Sequence, residues 1–308
     1  MNLSVQLAPG NSRGLLLENP VMTASGTFGY GTEDGHVFDI QKLGAIICKG
    51  TFMEPKEGNP QPRIMETAGG ILNSIGLEGI GVEALVREKA PVWEKWRVPV
   101  IVNIAGSTAD EYARLAERLN EVPGISGLEV NISCPNVKAG GDEFGTSPES
   151  AAAVTALVRK ASTLPVLVKL TPNTNNITGI AKAVEDAGAD AVSLINTLKG
   201  MAIDTISRKP VLGNITGGLS GPAIKPVALR MVYEVAGAVK IPVVGCGGIT
   251  TSEDALEFIM AGASAVQVGT ASFGNPLALL DILEGLERFV KDEKIDNLSD
   301  LIGIARTA

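Results

Sequence analysis

The chain has 308 residues, and 26 Lys and Arg against 34 Asp and Glu give it a formal net charge of −8. This acidic balance, without a cluster of basic residues, argues against nucleic acid and anionic membranes as partners. The sequence shows neither a signal-peptide pattern nor an apolar run of about 18 residues, so we expect no secretion and no membrane span. The three cysteines share no CxxC spacing, which argues against a disulfide framework or an iron–sulfur cluster made by this chain alone. We expect a cytoplasmic protein.

In chain order, short β-branched runs alternate with amphipathic stretches, a pattern typical of parallel strands joined by helices. Strands are predicted at 21–25, 45–51, 98–105, 127–134, 165–171, 191–197, 241–247 and 265–270. Helices are predicted at 108–121, 147–162, 177–187, 225–238, 252–261 and 276–291, with caps at Thr108, Ser147 and Ser252.

This α/β pattern favours a TIM (β/α)8 barrel that spans residues 1–308 as a single domain. Residues 3–17 are predicted to form a small hairpin that closes one end of the barrel. Three long connections, 52–81, 135–146 and 198–224, follow strands and should lie at the carboxyl-end face, where barrel enzymes build their sites. A doubly wound sheet is the alternative, but no G-x-G-x-x-G follows a strand, so we do not expect a Rossmann NAD site.

Polar residues end five of the predicted strands and should converge at the barrel mouth: Lys49, Asn103, Asn131, Lys169 and Asn196. Buried amides and ammonium groups are costly without partners. No Asp or Glu ends a strand, and Glu129 lies two residues deeper than Asn131. We therefore expect a planar, anionic small molecule as the partner of these residues, and no catalytic metal. The simpler alternative, in which water alone covers the polar ends, fits one such residue better than five.

Glycines follow the last two strands, in Gly245-Cys-Gly247-Gly248 and in Gly269-Thr270. In barrels the loops after these strands commonly bind phosphate through backbone N–H groups. Tight turns also favour glycine, but Ser25-Gly26 and Ser220-Gly221 add further points where a ligand can approach the backbone. Together they predict a phosphorylated cofactor across the mouth.

Cys134 lies between a predicted strand and a glycine-rich loop, where a thiol can act as a base or nucleophile. The alternative is an inert buried thiol, which is common. Cys48 and Cys246 are predicted to face the helices and to be inert.

Several segments resemble dihydroorotate dehydrogenases, and they occur in the family's order: Ala24-Ser-Gly-Thr-Phe-Gly-Tyr-Gly31, Asn73-Ser-Ile-Gly-Leu77, Asn131-Ile-Ser-Cys-Pro-Asn136 and the two late glycine motifs. The Ser-Gly-Thr-Phe-Gly stretch is similar to the NAD-linked class 1B catalytic subunit. The resemblance implies a TIM-barrel flavoenzyme that oxidises (S)-dihydroorotate to orotate in pyrimidine biosynthesis. It assigns Cys134 as the base at C5, while hydride passes from C6 to FMN.

By the same resemblance, FMN contacts Ser25, Gly26, Lys49, Gly50, Asn103, Asn131, Lys169, Ile195, Gly221, Gly247, Gly248, Gly269 and Thr270. Orotate contacts Lys49, Asn73, Ser74, Ile75, Gly76, Leu77, Asn131, Asn136, Asn196 and Thr197. The class also implies a partner subunit with FAD and a [2Fe–2S] cluster, in a heterotetramer built around a homodimer of this chain.

Four other functions stay open on the sequence. Two are close: the fumarate-linked class 1A enzyme, and the barrel subunit of dihydropyrimidine dehydrogenase, which normally carries a cysteine-rich ferredoxin-like domain absent here. A Schiff-base aldolase could use Lys169 or Lys49. A flavin-holding scaffold would have no turnover of its own.

Overall fold

The computed structural model describes residues 2–33, 37–133 and 143–306. The strands are β1 (Val5–Gln6), β2 (Leu16–Leu17), β3 (Val21–Thr23), β4 (Ile46–Ile47), β5 (Ile64–Thr67), β6 (Gly70–Asn73), β7 (Val100–Ile104), β8 (Gly127–Asn131), β9 (Val166–Lys169), β10 (Ala191–Leu194), β11 (Leu198–Met201), β12 (Ile203–Asp204), β13 (Lys209–Pro210), β14 (Thr216–Ser220), β15 (Val243–Cys246) and β16 (Ala265–Val268). The α-helices are α1 (Val82–Glu88), α2 (Ala90–Trp93), α3 (Ala109–Leu119), α4 (Pro148–Ala161), α5 (Ile177–Asp186), α6 (Lys225–Ala236), α7 (Ser252–Ala261), α8 (Ala271–Gly274) and α9 (Ala278–Asp292). Short 3₁₀ turns occupy Ile40–Lys42, Phe144–Thr146, Pro222–Ile224, Leu298–Leu301 and Ile304–Arg306.

One parallel sheet of eight strands forms the centre of the fold, in the order β3, β16, β15, β10, β9, β8, β7, β4. A parallel bridge between Met22 and Ala45 joins the first strand to the last and closes the sheet. Helices pack around it, and each predicted strand corresponds to one of these strands. The TIM barrel prediction is confirmed.

Residue parity along the strands separates the barrel interior from its helical shell. The inner cluster is buried and apolar, and it consists of Val5, Leu7, Ala8, Leu15, Leu17, Met22, Ala45, Ile47, Ile101, Leu167, Ala191, Val244 and Ala265. Its first five members come from the hairpin in which Val5 pairs with Leu17. The hairpin therefore packs on the barrel interior, as predicted for residues 3–17.

Two of the long connections contain strands that the sequence analysis did not predict. Strands β11, β14, β6 and β5 form an antiparallel sheet, which we call the mouth sheet. It joins the connection after β4 to the connection after β10, with Asn73 paired to Gly218. The mouth sheet thus brings together two chain segments that are distant in sequence.

Helix starts follow the sequence signals, with one correction. The Thr108 hydroxyl accepts a hydrogen bond from the backbone N–H of Glu111, and the Ser147 hydroxyl accepts one from that of Ser150. For α7 the predicted cap, Ser252, is wrong because Ser252 is already helical. Thr251 has extended backbone angles, and it forms a capping box with Asp254. Helices α1 and α2 were not predicted from the sequence. Pro91 has no backbone N–H to continue a helix and lies in the first turn of α2, so the segment forms two short helices instead of one.

Replacing Asp254 by Asn should lower the free energy of unfolding by about 1–2 kcal/mol, because its carboxylate caps α7 and pairs with Lys225. Burial favours the neutral carboxyl, but hydrogen bonds from Lys225 and Thr250 outweigh it and hold the pKa of Asp254 below its ordinary value. The unfolded chain therefore takes up this proton more readily than the folded protein. The stabilisation is present above the ordinary carboxyl pKa of about 3.9 and disappears as the pH falls below it.

Urea unfolding of the wild type and of Asp254→Asn, at neutral pH and in acid, tests this expectation. Glu253→Gln is the matched control, because it removes an exposed carboxylate from the same helical turn. The control should leave stability close to that of the wild type. A difference between Asp254→Asn and wild type that persists unchanged into acid would contradict the role of the carboxylate.

Candidate active site

A buried polar network crosses the barrel interior just below the mouth. The Glu129 carboxylate is fully buried and accepts hydrogen bonds from Asn103 Nδ2 at 2.7 Å, Ser193 Oγ at 2.8 Å and Gln267 Nε2 at 2.6 Å. Gln267 Oε1 in turn accepts from Lys169 Nζ at 2.5 Å. The five residues come from β7, β8, β9, β10 and β16, so the closed sheet is what brings them together.

This network corrects the expected charge balance of the site. The sequence analysis predicted that a ligand would supply the negative charge opposite both lysines, because no carboxylate ends a strand. Glu129 instead places a buried carboxylate one amide away from Lys169, which is itself only 4% exposed. Lys49 is half-buried, and it forms no ion pair with any residue in the described ranges. Of the two predicted strand-end lysines, Lys49 is therefore the one available to an anionic ligand within the described residues.

Two unsatisfied polar atoms belong to predicted ligand-binding residues. Within the described residues, the buried side-chain atoms without a hydrogen-bond partner are Ser74 Oγ, Asn103 Oδ1 and Glu143 Oε2. Leaving such an atom unpaired costs about 1–3 kcal/mol, so each one calls for an explanation. A ligand that donates a hydrogen bond to Asn103 Oδ1 and engages the Ser74 hydroxyl removes this cost.

The predicted phosphate-binding glycines come together where the last two barrel strands end. A Cβ on Gly248, which has φ +75°, would lie 2.8 Å from the carbonyl oxygen of Gly221, and one on Gly221 would lie 3.6 Å from Thr270 Cγ2. The Thr270 hydroxyl donates to Ser220 Oγ at 2.8 Å. Gly247 adds a further close approach, since its Cβ would lie 3.3 Å from Ile195 Cγ1. Positions 221, 247 and 248 have positive φ and leave no room for a Cβ, so only glycine fits at these three positions.

Several of the residues predicted to bind substrate also contact one another at the mouth. Asn196 Nδ2 donates to Asn131 Oδ1 at 3.3 Å and to Ser133 Oγ at 3.0 Å. A Cβ on Gly50 would lie 3.3 Å from Asn103 Oδ1 and 3.4 Å from Leu77 Cδ2, which brings the Asn73–Leu77 segment next to the unpaired amide. Thr197 lies against the mouth sheet, where a Cβ on Gly218 would clash with its hydroxyl.

The remaining predicted residues have fewer contacts with this group. Gly26 has φ +83° and open space where a side chain would be, and Ser25 beside it is half-buried. Gly269 packs near Ala24, and Gly76 packs against Asn59 rather than toward the network. The backbone carbonyl oxygen of Ile75 accepts a hydrogen bond from the N–H of Asn59.

Two of the three cysteines lie in different surroundings, and the third is outside the described residues. Cys134, the predicted base, and Asn136 lie outside the described residues. Cys48 packs in the helical shell, as predicted, and burial raises the pKa of its thiol to about 12. The outward prediction for Cys246 is wrong: it has the parity of Val244, which belongs to the inner cluster, while a Cβ on Gly245 would meet Phe258 of α7.

Sequence reasoning missed Gln267 and Ser193 and did not give Glu129 a role. The available signal was parity, since Glu129 lies two residues before Asn131 and Gln267 two residues before Gly269. In the described part of the chain, no three His, Cys, Asp or Glu side chains are grouped to hold a metal. No helix among the described residues is long and apolar enough to span a bilayer.

Comparison with known proteins identifies the family of this chain. The family model described as dihydroorotate dehydrogenase matches residues 10–290. Three similar proteins share the name dihydroorotate dehydrogenase B (NAD(+)), catalytic subunit. The one from Pelobacter propionicus is 59% identical over 95% of this chain and 96% of its own length. That from Geotalea uraniireducens is 57% identical over 98% and 97%, and that from Desulforamulus reducens is 55% identical over 99% of both chains. This chain belongs to the dihydroorotate dehydrogenase family.

Proposed function

We propose that this chain is the FMN-binding catalytic subunit of an NAD-linked dihydroorotate dehydrogenase, which oxidises (S)-dihydroorotate to orotate in the synthesis of UMP. The observation that carries the proposal is the buried, unpaired oxygen of Asn103, which lies beside Gly50 at the mouth of the barrel. Relatives that match nearly the full chain bear the name of this activity. In this proposal residues 1–308 act as one domain, in the cytoplasm.

The side chains at the mouth fit a flavin mononucleotide, in keeping with a flavin-dependent family. The oxidised ring presents one N–H among several acceptors, which suits one unpaired carbonyl oxygen and nearby cations. The glycine cluster suits a phosphate that needs close approach to backbone N–H groups. The residues proposed to hold FMN are Ser25, Gly26, Lys49, Gly50, Asn103, Asn131, Lys169, Ile195, Gly221, Gly247, Gly248, Gly269 and Thr270. When bound, FMN supplies an acceptor for the hydride from C6 of dihydroorotate.

The substrate needs a cation for its carboxylate and amides for its ring. Lys49 has no ion-pair partner within the described ranges and can bind the carboxylate. Donors and acceptors for the pyrimidine come from Asn73, Ser74, Ile75, Gly76, Leu77, Asn131, Asn136, Asn196 and Thr197. Cys134, as thiolate, removes the proton from C5.

Electrons must leave this chain through another protein if NAD⁺ is the final acceptor. The sequence has no G-x-G-x-x-G fingerprint after a strand and no CxxC pair. The relatives are named as catalytic subunits, a name that implies a partner for those proteins. We propose a partner that carries FAD and a [2Fe–2S] cluster, in a heterotetramer around a homodimer of this chain.

The test is anaerobic reduction of the purified chain. We expect a yellow protein whose visible absorbance is bleached by dihydroorotate, and whose colour neither NAD⁺ nor fumarate restores efficiently without the partner. Reoxidation by fumarate would favour the class 1A enzyme instead. A yellow protein that dihydroorotate leaves unchanged would contradict the proposed substrate. A colourless protein that takes up no added FMN would contradict the flavoenzyme itself.

A further inference from the structure

The buried network contains one charged acceptor and two amides whose orientations depend on it. The Glu129 carboxylate can only accept hydrogen bonds, whereas each amide has one accepting and one donating end. Both Asn103 and Gln267 therefore turn their NH₂ groups toward Glu129. Their oxygens must then point away from it, that of Gln267 to Lys169 and that of Asn103 to the side of Gly50.

We propose that Glu129 is a positioning residue, which sets the orientation of both amides and so presents an oxygen to Lys169 and another to the bound cofactor. This role rests on the proposed flavin site, because the unpaired Asn103 oxygen needs a donor from the ligand. Glu129 itself is fully buried beneath the mouth and acts through its two neighbours.

Replacement of the carboxylate by an amide shows why the charge is needed. A glutamine at position 129 must direct its own NH₂ group toward one of its two amide neighbours, whereas the Ser193 hydroxyl can either donate or accept and fits both arrangements. If that neighbour is Gln267, the Gln267 amide has to flip and its NH₂ group then faces the Lys169 ammonium. If it is Asn103, that amide flips and turns its oxygen away from the ligand. Either arrangement loses one of the two outward-facing oxygens.

Exchange of the two groups should restore the pattern. In the double variant Glu129→Gln with Gln267→Glu, the new carboxylate accepts from Lys169 and from the NH₂ group at position 129. The amide oxygen at position 129 still accepts from Asn103, so that residue keeps its orientation. The single change Gln267→Glu instead places two carboxylates where the present contact is 2.6 Å, which opposes ionisation of both.

The experiment compares these variants as full chains stripped of flavin, with FMN affinity measured by the quenching of FMN fluorescence. Each single change should weaken FMN binding about tenfold, and the double variant should return to within about threefold of wild type. Asp190→Asn is the matched control. It neutralises another carboxylate with several donors, among them Arg159 at 2.9 Å and the N–H of Val166 at 2.8 Å, but outside this network. It should lower stability and leave FMN affinity within about twofold.

Two results would overturn the proposal. One is loss of stability in both single variants with unchanged FMN affinity, as expected of a merely structural carboxylate. The other is a double variant in which the two losses simply add. Urea unfolding of the same flavin-free chains provides a second double-mutant cycle, with the free energy of unfolding in place of FMN affinity. If the wild type binds no FMN, the proposed function fails, whereas coupling between positions 129 and 267 in unfolding still decides whether Glu129 orients Gln267.

Discussion

Cys134→Ala is expected to lower turnover of dihydroorotate by about 10²–10⁴-fold, the usual contribution of a general base, while the protein stays yellow. In the proposed mechanism the Cys134 thiolate is the active form, so wild-type turnover should rise with pH toward the ordinary cysteine pKa of about 8.5. The rise should be absent from the residual activity of Cys134→Ala. Turnover as a function of pH, at saturating dihydroorotate with an artificial electron acceptor, measures both effects.

The control for Cys134 is Cys48→Ala. Burial raises the pKa of Cys48 to about 12, so this thiol stays neutral near pH 7 and cannot act as the base. Its loss removes only volume from the helical shell, and we expect unchanged turnover with slightly lower stability. Near-normal turnover of Cys134→Ala would refute the base assignment. An equal loss of turnover in Cys134→Ala and Cys48→Ala would indicate damage to the fold.

The barrel could be predicted because each of its strands is a local signal. Strands such as β7 and β9 are apolar apart from one polar residue each near the carboxyl end, as expected for strands covered on both faces. The mouth sheet has no such signal. Its strand β14 reads Thr-Gly-Gly-Leu-Ser, and it is held by pairing with Asn73 and its neighbours far away in the sequence. Pairing of this kind depends on where the barrel places the two connections.

The site was predictable in its outline and not in its charges. Alternation along β8 places Glu129 inside the barrel together with Asn131. Its partners Asn103, Ser193 and Gln267 come from three other strands, and no local spacing relates them. The pairing of the Lys169 charge with the Glu129 charge therefore depends on how the folded barrel arranges these strands. This is why a ligand was expected to compensate Lys169, where a buried carboxylate already does so through an amide.

Lys169→Met should slow the bleaching of flavin by dihydroorotate by about 10²–10³-fold at saturating FMN. The side chain is buried, and in the proposed flavin site its positive charge stabilises the negative charge that develops at the cofactor during reduction. Methionine keeps much of the length of lysine without the charge. The same change should also lower the free energy of unfolding by about 3–5 kcal/mol, because it leaves the Glu129 carboxylate buried without a counter-ion. Stopped-flow reduction and urea unfolding measure the two effects separately.

The double variant Lys169→Met with Glu129→Gln separates charge from folding. Removing the buried carboxylate as well should restore much of the lost stability, because the network then holds neither the lysine nor the carboxylate charge. It should not restore the rate of reduction, because the cation is still absent. Recovery of both would mean that Lys169 acts only by balancing Glu129. Recovery of stability alone, with a Glu129→Gln single variant that is reduced at a near-normal rate at saturating FMN, would show that the positive charge at position 169 serves the reaction.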